Sequence, residues 1–275
     1  MIKRKLASQS MLNFIIAILI ILLLYPLAVT FWCAFKSDLS YINSKWYPTF
    51  PLRIYNLNVA FKSIWRYLLN TVIVALVGTS GSLFISSLAS FAFARMKFIG
   101  REFLYMAVIA LMMMPGIISL VPAYMLYKSF NLLNTYLVLV LPVIVGGPIF
   151  GVFLLRSFFE SIPNDLFESA YIDGAGMLRV FYSIAIPLCL PILGTLAIMQ
   201  IIGVWNDYLW PLITIRDHNL LTISTGLILR FTRQYSSNMP VTFSGYMIAS
   251  VPLILLFVFA NKYYVEGLIS TSIKL

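Results

Sequence analysis

Charge is scarce in this chain of 275 residues, with Asp, Glu, Lys and Arg together making up 10% against 61% hydrophobic residues. About a quarter of a soluble globular domain is charged, so water cannot be the solvent for most of this polypeptide. Cysteine and histidine are scarcer still. Cys33 and Cys189 both lie in apolar segments without CxxC or Cys/His spacing, which excludes a disulfide framework and a metal site. The single histidine, His218, stands beside Asp217 in a polar stretch and completes no Ser/His/Asp constellation. There is no G-x-x-x-x-G-K-[ST] run and not one Gly-Lys pair, hence no phosphate-cradling loop. The sequence therefore predicts no catalytic residue, no metal and no cofactor.

The net charge of +10 raises the question of nucleic acid, but the basic residues are scattered in ones and twos between apolar runs. That distribution fits loops and membrane-facing anchors, so lipid rather than nucleic acid is the expected partner. A helix crosses a hydrocarbon core of about 30 Å with about 20 apolar residues. Six such runs are present: Met11 to Ala34, Leu68 to Ala94, Phe103 to Tyr127, Thr135 to Leu155, Ile184 to Trp210 and Tyr246 to Ala260. The chain reads as an all-α integral membrane protein of six transmembrane helices. The first run follows Lys3-Arg4-Lys5 but is too long for a secretory leader and lacks a small-x-small cleavage pattern, so it is read as a retained span.

The second run carries Gly78, Ser80, Gly81, Ser82, Ser86, Ser87 and Ser90, small residues that let helices approach closely. The third is read as broken at Pro115-Gly116 and Pro122, the fourth at Pro142 and Gly146-Gly147-Pro148. Such breaks either line a path through the membrane or are inert kinks. The polar stretches Lys36 to Tyr67 and Pro211 to Ser244 are placed on one side of the membrane, and Arg156 to Ser183 on the other. With both termini inside, basic residues divide ten to nine between the two sides, so charge alone barely orients the chain.

Ionisable residues inside a membrane cost about 2.5 to 3.5 kcal/mol each and are kept for function. The cores of the second, third and fourth runs have none, which argues against a carrier driven by proton or sodium gradients. Four of the nine acidic residues instead cluster in one polar stretch, at Glu160, Asp165, Glu168 and Asp173. There Pro163-Asn164-Asp165 predicts a helix start with Asn164 as its cap, and Gly174-Ala175-Gly176 predicts its stop. Leu166, Phe167, Ala170 and Tyr171 share one face of this helix, while Asp165, Glu168 and Ser169 fall toward the other. A helix of about two turns is not stable alone, so its apolar face must fill a groove in its own bundle or in a partner.

Glu168-Ser169-Ala170, three residues, Gly174, nine residues and Ile184-Ala185-Ile186-Pro187 together resemble the EAA loop of bacterial ABC-importer permeases, with Ser169 for Ala and Ile186 for Leu. Leu88 to Arg95, Met114-Pro115-Gly116, Asn131 to Thr135, Trp205 to Leu212 and Tyr264 to Leu268 resemble the MalG-type branch, which comprises carbohydrate permeases. The resemblance implies a MetI-like fold with residues 1–67 as an N-terminal helix and external loop, residues 68–275 as the permease domain and an EAA loop at about 156–187. It implies a MalF-type second permease, an ATP-binding cassette ATPase dimer and an extracytoplasmic solute-binding protein as partners. It also implies that Leu166 to Ile172 is a coupling helix, with Glu168 facing the ATPase. Leu166, Phe167, Glu168, Ser169, Ala170, Tyr171, Asp173, Gly174 and Arg179 are the expected ATPase-coupling residues. In the same branch the C-terminal tail reaches the ATPases, and Ile269 to Leu275 departs from its usual Gly-rich ending.

Trp205, Asn206, Asp207 and Trp210 stand at the end of the fifth run. They are read either as an aromatic belt with a polar helix end, or as a pathway face. In the second reading Asn206 or Asp207 hydrogen-bonds a polyhydroxylated solute and a tryptophan such as Trp205 stacks on it.

Overall fold

The computed structural model describes residues 2–234 and 238–272. In chain order its α-helices are α1 (Ile2–Ala34), α2 (Asp38–Asn43), α3 (Tyr55–Arg95), α4 (Arg101–Met112), α5 (Gly116–Ser129), α6 (Tyr136–Ser161) and α7 (Asn164–Ile172). They continue with α8 (Met177–Val180), α9 (Ile186–Leu188), α10 (Leu190–Asn206), α11 (Leu209–Thr214), α12 (Ile223–Gln234) and α13 (Met239–Ser272). The described residues contain no strand.

Four helical segments are long and apolar enough to span a bilayer: Met11–Ala34, Tyr55–Arg95, Tyr136–Ser161 and Met239–Phe259. Two more spans are bent pairs, α4 with α5 at 99° and Met177–Leu188 with α10 at 74°. Counting each pair once gives six. At 41 residues α3 is about 60 Å long, roughly twice the hydrocarbon thickness, so it extends well beyond the second apolar run.

The expected breaks are only partly present. The third span does break at Pro115-Gly116, but Pro122 sits inside an unbroken α5. The fourth is one continuous helix of 26 residues with Pro142 and Pro148 inside it. A proline at position 142 frees the carbonyl four residues earlier, at Val138. The indole Nε1 of Trp210 donates to that carbonyl at 2.7 Å, which removes the cost of the missing bond. The fifth span begins earlier than Ile184, at Met177, and passes through a π turn at Phe181–Ala185 just ahead of Pro187. It bends at Cys189, between Pro187 and Pro191, two residues that cannot donate to a helical ladder.

Two compact units are present. The first comprises residues 1–65 and 227–252, where Cys33, Ala34, Ile64, Phe231 and Val241 are buried. Ser244 Oγ donates to the Ala34 carbonyl at 2.9 Å, and Asn56 Nδ2 donates to the Ala34 and Lys36 carbonyls. Lys36 is buried, with its ammonium on the carbonyls of Ser44 and Tyr47, so it holds the loop after α1 in place.

In the second unit, residues 66–226 and 253–275, α3 packs on α6. Their contact is made by small residues facing each other. A Cβ on Gly147 would strike Ser82 Oγ, and one on Gly151 would strike Ser86 Oγ. In return, Gly78 and Gly81 receive Val143 and Ile144, whose atoms lie 2.9 Å from where a Cβ would stand. Glycine on both helices thus lets the backbones approach where lipid supplies no hydrophobic drive for association.

Candidate functional site

At one end of the second unit, Arg95 closes α3 and reaches over the end of α6. Its Nε donates to the Phe159 carbonyl at 3.1 Å, Nη2 to the Phe159 and Ile162 carbonyls, and Nη1 to Asn164 Oδ1. The Phe159 carbonyl also accepts the Ile162 N–H at 3.3 Å, and Ile162 is the C-cap of α6, so one planar fork closes the end of α6 and fixes the start of α7. Asn164 is therefore not the N-cap that its sequence position suggests. Pro163 occupies that place without a side-chain bond, and the Asn164 amide is engaged by Arg95 instead.

α7 ends as the glycine run predicts. Gly174 has φ +77°, the Ala175 N–H donates to the Ala170 carbonyl at 2.9 Å and the Gly174 N–H to the Tyr171 carbonyl at 3.0 Å. This pair of bonds is a Schellman motif, and its left-handed residue is one that only glycine adopts without strain. No atom lies within 4 Å of a Cβ at Gly174, so the constraint there is the backbone turn and not crowding.

The expected apolar face of α7 divides in two. Phe167 is buried among Phe91, Phe159 and Phe181, with the Arg95 guanidinium 4.3 Å above its ring, and Ala170 packs against the same core. Leu166, Tyr171 and Ile172 are exposed, Ile172 at 86%, and Met177 and Leu178 after the turn are exposed as well. Phe167 thus anchors the helix to its own bundle, while the other apolar side chains stay on the surface. Glu168, Asp173 and Arg179 are exposed and form no ion pair among the described residues, and Ser169 Oγ donates back to the Asp165 carbonyl at 2.7 Å. Glu160 does not join this acidic surface. It accepts from Arg156 Nε at 2.7 Å, and Arg156 also binds Glu102 at 2.9 Å and lies over the Tyr105 ring at 3.8 Å.

A second feature lies at the break between α4 and α5. A cavity of about 440 Å³ is lined by Gly116, Ser119, Leu120, Ala123, Tyr127, Leu139, Pro142, Val143, Val145, Gly146, Asp207, Leu209 and Trp210. Asp207 ends α10, and its Oδ1 accepts from the Trp210 N–H at 3.2 Å. The Tyr127 and Trp210 rings meet edge to face at 5.6 Å. Of the three residues expected on a pathway, only Asp207 lines this cavity. Asn206 is exposed and turns back to the Ile202 carbonyl at 2.9 Å, while Trp205 is 6% exposed. The available tryptophan is Trp210. Arg95 escaped the sequence reading as a site residue, although a lone arginine ending an apolar run is the mark of a residue with carbonyls to cap.

The expected contact of the C-terminal tail with an ATPase concerns Ile269 to Leu275, whose side chains lie outside the described residues.

Known proteins resemble this arrangement over nearly its whole length. The model of the binding-protein-dependent transport system inner membrane component family matches residues 81–269. The probable ABC transporter permease protein YurM of Bacillus subtilis is 34% identical over 260 residues, covering 93% of this chain and 85% of that protein. The arabinooligosaccharides transport system permease protein AraQ of Halalkalibacterium halodurans is 34% identical over 210 residues, 76% of this chain and 74% of that one. Among solved structures, a chain of a bacterial ABC transporter involved in the import of the acidic polysaccharide alginate aligns with TM-score 0.81 at 20% identity, covering 94% of this chain and 98% of that one. That last likeness establishes the fold. An anchored but exposed short helix, six spans and these matches lead to one assignment: the chain belongs to the binding-protein-dependent transport system inner membrane component family, the permeases of ABC importers.

Proposed function

We propose that this chain forms one half of the membrane pathway of an ATP-driven importer for a sugar or oligosaccharide, in the bacterial cell membrane with both termini cytoplasmic. A MalF-type permease completes the pathway, an ATPase dimer docks on α7, and an extracytoplasmic solute-binding protein delivers the solute. Residues 68–275 act as the permease domain, and residues 1–67 as an N-terminal transmembrane helix and external loop. The saccharide class is supported by AraQ, whose name gives it arabinooligosaccharides to transport.

The observation that carries the coupling role is the split face of α7. Phe167 and Arg95 tie the helix rigidly to α3 and α6, while Leu166, Tyr171, Ile172 and Glu168 remain outside. A motor can bias a pathway only if it binds its two states with different free energy, and a helix fixed to the bundle transmits that difference. In the intact importer, Glu168→Lys is expected to leave membrane abundance and ATP hydrolysis in place while uptake falls, and Gly174→Asp to lower uptake per inserted complex. Coupled uptake at the wild-type ratio in both variants would count against the assignment.

A further inference from the structure

The cavity between the α4–α5 break and Trp210 combines features that a lipid-filled groove would not need. A carboxylate, Asp207, lines it, and no ion pair to that carboxylate exists among the described residues. An ionisable group at the end of a membrane helix faces water or a polar ligand, because lipid would penalise it. The Tyr127 hydroxyl has no hydrogen-bond partner among the described residues. The indole N–H of Trp210 is already committed to the Val138 carbonyl, so this ring offers its apolar surface rather than a donor. The lining includes neither Lys nor Arg.

Two glycines of the lining are open. A Cβ at Gly116 or Gly146 would meet no atom within 4 Å, in contrast to Gly147, which is packed against Ser82. Gly146 thus faces space while its neighbour faces protein. The volume of about 440 Å³ falls within the range of roughly 300 to 1,000 Å³ typical of small-molecule sites.

We infer that this cavity is a solute subsite contributed by this chain, and that it accepts a neutral, not an acidic, saccharide unit. An acceptor carboxylate, a free phenol and an apolar ring surface suit a ring bearing hydroxyl groups. A uronic acid would bring its own carboxylate beside Asp207 with no cation to separate them, and like charges brought together at low dielectric repel strongly. This inference rests on the saccharide reading of the preceding section.

The test uses the complete importer, with both permeases, the ATPase and the binding protein, in a strain lacking the native copy. Uptake of arabinotriose, raffinose and trigalacturonate is measured for wild type, Gly146→Leu, Asp207→Asn and Gly203→Leu. Gly203 lies outside the cavity and is equally open, so Gly203→Leu controls for added bulk. Expected are wild-type uptake of a neutral trisaccharide over trigalacturonate, a loss of about tenfold or more in Gly146→Leu, and near wild-type uptake in Gly203→Leu. Asp207→Asn is expected to narrow the discrimination against trigalacturonate. Neutral uptake untouched by Gly146→Leu, or trigalacturonate preferred by wild type, overturns the subsite alone. Uptake of no saccharide by a wild-type complex that hydrolyses ATP overturns the saccharide reading with it.

Discussion

The guanidinium of Arg95 lies 4.3 Å above the ring of Phe167 while its nitrogens bond the Phe159 and Ile162 carbonyls and the Asn164 side chain. One side chain at the end of α3 thus joins the end of α6 to the whole of the exposed helix that follows.

Arg95→Ala should loosen that joint. Hydrogen bonds from a charged donor contribute about 1.5 to 3 kcal/mol, and several are lost together, so a drop of a few kcal/mol in detergent-solubilised stability is expected. Thermal unfolding followed by tryptophan fluorescence measures it, and Arg95→Lys, with one point charge for several acceptors, should fall between the two.

Phe167 and Gly174 should behave differently from Glu168. Truncation of Phe167 to Ala removes a buried ring and is expected to cost about 3 to 5 kcal/mol, read as lower abundance and melting temperature. Gly174→Val places a β-branched residue at φ +77° and should cost about 1 to 3 kcal/mol. Glu168→Lys touches no internal contact and should leave the melting temperature within a degree or so of wild type.

Trp210→Phe keeps a ring but withdraws the donor from the carbonyl that Pro142 leaves free. A buried acceptor without a partner costs about 1 to 3 kcal/mol. Restoring the backbone donor with Pro142→Ala in the same chain should recover most of that loss, since the Val138 carbonyl then has its helical partner. Four melting curves, wild type, the two singles and the double, suffice to check this.

Gly151→Ala should push α3 away from α6, because its Cβ would overlap Ser86 Oγ. Overpacking of this kind costs about 1 to 3 kcal/mol. The second-site change Ser86→Gly removes the atoms that are struck, so the double variant should be more stable than Gly151→Ala alone. Equal stability of the two would place the strain elsewhere.

The span count, the first span to within its ends, and the place and length of α7 followed from sequence because each is local. Apolar run length fixes a span, and a glycine after two helical turns fixes a stop. The same local logic misplaced the breaks. Pro142 and Pro148 read as interruptions, yet α6 runs through them, and the donor for the Val138 carbonyl comes from Trp210, 72 residues away. It also grouped Phe167 with Leu166, Ala170 and Tyr171 on one face and left open whether that face fills a groove in the bundle or in a partner. Periodicity can say which residues share a side of a helix, but not where the bundle ends and the partner begins. Only packing decided that Phe167 points inward beneath Arg95, that Glu160 is drawn to Arg156, and that Trp210 rather than Trp205 borders the cavity with Asp207. Contacts between distant segments depend on how closely helices pack, and here small residues meeting across α3 and α6 permit that approach, a pairing that no single stretch of sequence contains.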